Sequence, residues 1–397
     1  MNREWNQLAV HKTPPSELLA KLRLPVKTLT GPGPTNCSKR VLQALQNQVL
    51  GNLHAEICQL LDEIKAGLQY VFQTKNRLTL AISASGHSGM EACLGNLLEP
   101  GETVVIVKCG IWGERANDIA HRIGACVELI ETDHDQAVTL EQLETSLKLH
   151  RPVAVFIVHA ESSTGLKQPL EGIGDLVHKY NALLIVDTVA SLGGEPFFMD
   201  SWGVDATFSC SQKALGAPSG LSPVSFSPRA EEKLFRRKTK PFSFYWDMTV
   251  LGVYWKCFGN EERVYHHTVS ATLLYGLREA LAEIAEEGLP SSWLRHAAAA
   301  ARLRDGLKLR GLRCYVKIPR YQLSTITSIE LPPGVDEKII VRRAMDRYKV
   351  DISPGLGPTK GKILRVGLLG SNAASKTVDL VLRALDDGFK QASRSKL

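Results

Sequence analysis

The sequence predicts an α/β protein, with a large domain built on a mostly parallel seven-stranded sheet and a smaller C-terminal α+β domain. Three observations predict this. Seven short apolar, β-rich runs lie between about residues 55 and 230. Helical patterns separate several of them, and such alternation produces parallel strands with helices on both sheet faces. Past about residue 270 the pattern changes to long helical stretches followed by scattered strand-like pieces.

The elements follow in order. The first 30 residues are broken by Thr13-Pro14-Pro15 and Leu24-Pro25 and read as an arm rather than a domain. The seven runs are residues 78–83, 103–107, 127–130, 153–159, 183–187, 206–209 and 223–227. Helical patterns occupy 89–98, 114–123, 140–149 and 174–180, then 270–287 and 290–310. Strand-like pieces at 313–317, 325–330 and 364–368, with helices near 337–347 and 375–390, form the second unit. The expected organisation is an arm over 1–30, a large domain over 31–285 and a small domain over 286–397.

Bulk properties narrow the function. Of 397 residues, 44% are hydrophobic and 22% charged, which excludes disorder and collagen-like repeats. The net charge of +7 is spread along the chain, with one dense patch at Arg236-Arg237-Lys238-Thr239-Lys240 that reads as a solvated turn. Nothing here points to nucleic acid, while a modest positive field favours small anionic substrates. The eight cysteines include no C-x-x-C pair and no zinc spacing, so reduced intracellular thiols and no metal are expected. No secretory signal and no membrane-spanning run are found. The final tripeptide Ser395-Lys396-Leu397 reads as a peroxisomal address, recognised by an import receptor.

In parallel sheets of this kind, ligands sit beyond the carboxyl ends of the strands. Asp187 ends the run Leu183-Leu184-Ile185-Val186-Asp187, where a buried carboxylate must be paired or functional. A helix cap or a structural ion pair is the alternative. Lys213 follows the next run, so both side chains belong to one sheet edge. Alone it reads as a surface lysine. With Asp187 it supplies what pyridoxal 5'-phosphate needs: an amine for the aldehyde and a carboxylate for the ring nitrogen. Ser85-Gly86-His87-Ser88-Gly89 follows the first strand and opens a helix around residues 90–98; its small residues admit a phosphate, although ordinary turns look similar. Trp112, between Gly110 and Gly113, could stack on a planar ring or simply fill the core. Arg365, inside an apolar strand, could hold a substrate carboxylate or bridge to Asp351.

In this order the residues resemble a known family. Gly31-Pro32-Gly33-Pro34, residues 83–87 and 110–113, Glu161-Ser162-Ser163-Thr164-Gly165 and residues 185–192 carry the resemblance. So do residues 211–218 and 237–245, Tyr265-His266-His267-Thr268, Gly355-Leu356-Gly357-Pro358 and residues 364–370. The chain resembles the alanine–glyoxylate / serine–pyruvate aminotransferases, fold-type-I pyridoxal-phosphate enzymes of class V, from about residue 12 to 385. The resemblance implies that Lys213 takes the covalent link to the cofactor and moves the substrate proton. It implies that Asp187 pairs with the ring nitrogen, Trp112 stacks on the ring and Ser162 bonds near the phenolic oxygen. Ser85, Gly86, His87 and Gln212 would hold the phosphate. Tyr265 and Thr268 would reach it from the partner subunit of a homodimer. Arg365 would bind the substrate carboxylate, and Gly33, Asn52 and Gly355 would border the substrate.

Two departures stand out. Ser219 replaces a proline common in the family. Gly51-Asn52-Leu53-His54 is mixed: Gly51 resembles the glyoxylate enzymes, whereas Asn52 with His54 resembles insect 3-hydroxykynurenine transaminases. The expected reaction is transfer of the amino group of alanine or serine to glyoxylate. The alternatives are 3-hydroxykynurenine transamination to xanthurenic acid, a cysteine desulfurase using Cys210, and a non-catalytic binding protein on the same fold.

Overall fold

The computed structural model describes residues 12–259 and 262–394. After a short strand β1 (Thr28–Leu29) come helices α1 (Lys39–Ala44) and α2 (Ala55–Phe72). In α2, buried Ile57, Leu61, Ile64, Leu68 and Val71 recur at three- and four-residue spacing and form one apolar stripe. The sheet region follows as β2 (Leu78–Ile82), α3 (Gly86–Leu97), β3 (Thr103–Lys108), α4 (Ile111–Ile123), β4 (Cys126–Glu131), α5 (Leu140–His150) and β5 (Ala154–Val158). Next are the small hairpin β6 (Ala160–Glu161) and β7 (Leu166–Lys167), then α6 (Ile173–Lys179), β8 (Leu183–Asp187), β9 (Ala206–Phe208) and β10 (Ser222–Phe226).

The seven-stranded sheet has the order β2-β10-β9-β8-β5-β3-β4. Only β10 runs antiparallel to its neighbours. Register pairs Val158 with Asp187 and Asp187 with Phe208, so the carboxyl ends of β5, β8 and β9 finish level. β2, β5, β8 and β10 are buried throughout, which explains their unbroken apolar or small-residue pattern.

Helices α7 (Pro228–Phe235), α8 (Met248–Tyr254), α9 (Ala271–Glu287) and α10 (Leu289–Leu309) lead to the C-terminal unit. That unit contains β11 (Ile326–Glu330), α11 (Glu337–Arg343), β12 (Val350–Asp351), β13 (Ser353–Pro354), β14 (Ile363–Gly367) and α12 (Ser375–Arg394). One apolar core runs from Val41 to Leu289, and a second from Ala299 to Ala392. The expected strand at 313–317 is not formed. Cys314 makes a single bridge to Ile329, and the chain leaves β11 before a ladder extends.

The arm expected to end at residue 30 is tied in at its end. β1 pairs in parallel with β12, Thr35 N–H bonds the Gln212 carbonyl at 2.9 Å, and the Thr35 hydroxyl bonds the Leu369 carbonyl at 2.8 Å. Residues 28–35 therefore pass between both cores and alongside Lys213. All eight cysteines are free; Cys126 is exposed on the edge strand β4. Among the described residues no helix is long and apolar enough to cross a membrane.

Candidate active site

Asp187, the last residue of β8, is 2% exposed. Its Oδ1 accepts the Val189 N–H at 2.8 Å, and no ion pair forms at it among the described residues. The segment that follows is a turn, so Asp187 caps no helix. Burial first, and Glu161 second, push its pKa up to about 7 against the pull of the Val189 N–H and of Lys213. Lys213 lies beyond β9, and burial holds its amine below the usual lysine range. Its Nζ donates to the Pro32 carbonyl. Gly33 lies with φ +115° against the Lys213 side chain, in space that a Cβ would fill.

Asp187 and Lys213 line one cavity of about 140 Å³, together with Ser85, Gly86, His87, Trp112 and Gln212. Helix α3 begins at Gly86, earlier than the sequence suggests, with Ser85 as its N-cap. The Ser85 side chain caps no backbone group. The Ser88 N–H turns back to the Ser85 carbonyl at 2.9 Å, which leaves the Gly86 and His87 amides at this N-terminus to attract an anion. Gln212 has its side-chain oxygen buried without a protein partner.

Trp112 sits in the first turn of α4. Its indole N–H donates to the Ser162 hydroxyl at 2.7 Å, and its ring meets His87 edge-on at 5.5 Å. Ser162 also joins the arginine, because Arg365 Nη1 donates to the Ser162 carbonyl at 3.1 Å and Nε to the Pro354 carbonyl at 2.9 Å. Arg365 is 6% exposed, and no carboxylate forms an ion pair with it among the described residues; the alternative bridge to Asp351 is not made. Gly355 begins a loop whose Thr359 hydroxyl bonds the Ser163 carbonyl at 3.1 Å, so this loop packs on the Ser162-Ser163 turn.

Three expected residues lie apart from this cavity within one chain. Tyr265 OH and Thr268 Oγ1 are 3.1 Å apart at an exposed position, and Asn52 Nδ2 donates to Thr268 Oγ1 at 3.2 Å. Sequence reasoning missed the Pro32 carbonyl, which carries no side-chain signal. It also gave no separate role to Glu161, which is fully buried and accepts the Trp112 N–H at 3.2 Å. The position of Glu161 just past β5 was the available signal. Cys210 also borders the cavity, and burial pushes its thiol up to about 12, which argues against a nucleophilic sulfur. A larger cleft of about 520 Å³ involves His159, Lys167, Glu195 and Trp202, and there Lys167 is already paired with Glu195 at 3.3 Å.

Comparison with known proteins bears directly on this geometry. The pattern of the family described as aminotransferase class-V matches residues 28–373. The chain belongs to the class V aminotransferases. A cat alanine–glyoxylate aminotransferase is 49% identical over 97% of this chain and 92% of its own. The Drosophila melanogaster protein of the same name is 47% identical over 96% of both chains. The crystal structure of an alanine–glyoxylate aminotransferase from Nostoc superposes with a TM-score of 0.91, at 44% identity, covering 95% of this chain and all of that one.

As a class V aminotransferase the protein is an enzyme that uses pyridoxal phosphate. The residues present fit that group. A carboxylate raised toward neutrality by burial lacks a cation, as a ring nitrogen would supply. A half-buried amine is poised for an aldehyde, and the start of α3 presents free amides for a phosphate.

Proposed function

We propose that this aminotransferase moves the amino group of alanine, or of serine, to glyoxylate, giving pyruvate or hydroxypyruvate and glycine. Relatives bearing the alanine–glyoxylate name at 46–49% identity support the substrate pair. The observation that carries the chemistry is Arg365, a buried guanidinium without a carboxylate, held through Ser162 beside the cavity of Lys213 and Asp187. Such a group suits the carboxylate that amino and 2-oxo acids share.

Pyridoxal phosphate, when bound, supplies the aldehyde that takes up the amino group and the ring that withdraws electrons from the substrate Cα. Lys213, its amine favoured in the uncharged form by burial, would take the proton from the substrate Cα and pass it to the carbon that carried the cofactor's aldehyde. Asp187 would hold the ring nitrogen protonated, and Trp112 would cover the ring. Ser162 would bond near the phenolic oxygen. Ser85, Gly86, His87 and Gln212 would hold the phosphate, and Gly33 and Gly355 would border the substrate. Tyr265 and Thr268, with Asn52 beside them, serve the partner's site in a homodimer. Their exposure within one chain supports this assignment.

The purified enzyme should be yellow and should lose its colour, and about a thousandfold of its activity, in Lys213→Ala. Turnover of alanine plus glyoxylate should exceed that of 3-hydroxykynurenine plus glyoxylate; a strong opposite preference would overturn the substrate assignment. The kynurenine reading rests on Asn52, which bonds Thr268 and goes with it to the partner's site, so the turnover comparison decides it. A colourless chain that never takes up the cofactor would instead fit the binding-protein reading.

Ser395-Lys396-Leu397 lies outside the described residues. We place the enzyme in peroxisomes on the strength of this tripeptide, through the receptor that reads it. Deleting Leu397 should leave a fluorescently tagged enzyme in the cytosol, and unchanged import would refute the placement.

A further inference from the structure

The turn that leads into α3 is held from behind by a chain of hydrogen bonds that the reaction itself does not use. Ser83 lies between β2 and the N-cap Ser85. Its carbonyl accepts the Tyr245 hydroxyl at 3.1 Å. Its Oγ lies 2.8 Å from His267 Nε2. His267 Nδ1 lies 2.8 Å from His266 Nδ1, and His266 Nε2 lies 3.3 Å from the Phe244 carbonyl. The Phe244 and His266 rings stack, 4.9 Å apart and 6° from parallel.

The carbonyl at one end sets the direction of every proton. A carbonyl only accepts, so His266 Nε2 carries a hydrogen. With His266 Nδ1 as the acceptor of the pair, His267 Nδ1 donates. His267 Nε2 is left as an acceptor, and the Ser83 hydroxyl donates to it. Burial pushes the His267 pKa down to about 4, which keeps this ring neutral. The Ser83 hydroxyl is thereby committed away from the cavity, and the backbone entering Ser85 is fixed at two points.

We propose that His267 is a positioning residue for the phosphate. Through Ser83 it holds the turn whose Ser85 side chain and first-turn amides receive the anion. The proposal rests on the reading of Ser85, Gly86 and His87 as the phosphate site.

The test compares two ligands that both carry the aldehyde: pyridoxal 5'-phosphate and pyridoxal, which lacks the phosphate. Affinity of the cofactor-free enzyme for each is read from quenching of protein fluorescence, with thermal melting recorded alongside. His267→Ala and Ser83→Ala should each weaken pyridoxal 5'-phosphate about tenfold, the scale of one lost hydrogen bond, and pyridoxal by less than about twofold. The double variant should be no worse than either single one. His267→Gln, which keeps an acceptor near Ser83, should recover most of the loss. Ser83→Ala removes a single oxygen and tests the link even if His267→Ala fails to fold. Equal losses for both ligands, or no loss for either, overturn the role. Ser85→Ala separates the two ideas. Phosphate-specific loss in Ser85→Ala but in neither His267→Ala nor Ser83→Ala overturns the positioning role alone. Phosphate-specific loss in none of the three overturns the phosphate site and the positioning role with it.

Discussion

Asp187 is the residue at which folding and catalysis make opposite demands. Its carboxylate is buried with a single backbone N–H for company, and its folded pKa is pushed up to about 7 from an ordinary 3.8. Below the ordinary value the group is protonated in both folded and unfolded chains, and its titration adds no penalty. Between that value and about 7 the folded chain retains a proton that the unfolded chain releases, so stability falls as pH rises. Above about 7 the penalty is constant. In cofactor-free enzyme, the melting temperature of Asp187→Asn relative to the parent should therefore climb from pH 4 to 7 and then level off. A flat difference would show that burial does not govern this group. Asp187 and Lys213 were legible in the sequence because one ends a strand and the other follows one, where the chain must emerge at the ligand edge. The Pro32 carbonyl that holds Lys213 was not, since a backbone group separated by 181 positions leaves no mark in side-chain chemistry.

Helix α3 ties the cofactor end of the molecule to its surface. It starts at the turn capped by Ser85 and ends against Arg237, whose Nη1 donates to the carbonyls of Asn96 and Leu98 at 2.9 and 2.7 Å. The patch at 236–240 thus contains a helix-capping residue, and Glu232 pairs with Arg236 at 2.7 Å. Arg237→Ala should lower stability by about 1–3 kcal/mol, checked by denaturant unfolding, because the capped carbonyls lose a charged donor. A change within experimental error would make the arginine decorative. The early start of α3 was hard to read because Gly86 and Gly89 are poor helix formers; here the buried packing of the helix overrides propensity. The piece at 313–317 misled for the opposite reason: its composition suits a strand, but only Cys314 finds a pairing partner there. Helix α2 was readable from its apolar spacing and needed only to be looked for.

At the scale of the whole molecule, seven sheet strands were legible from their apolar runs, and the two cores follow the change of pattern beyond residue 270. The roles proposed for Tyr265, Thr268 and Asn52 come only through family resemblance, because no pattern within one chain announces a residue that works in another. Hybrid dimers test them. Lys213→Ala chains and Tyr265→Phe/Thr268→Val chains, each inactive or weak alone, should regain activity when mixed and exchanged, since one site per hybrid is then intact. Mixtures no more active than their parts would rule out shared sites. The placement of sulfur has a consequence for durability. Oxidants and alkylating agents attack thiolates that water can reach, yet Cys93, Cys109, Cys210 and Cys257 are buried with their thiols held protonated by desolvation. Cys126, at the far edge of the sheet, is the exposed member of the eight. Peroxide or a labelling dye would therefore mark the enzyme at its rim while Cys210, bordering the cavity of Lys213, stays reduced.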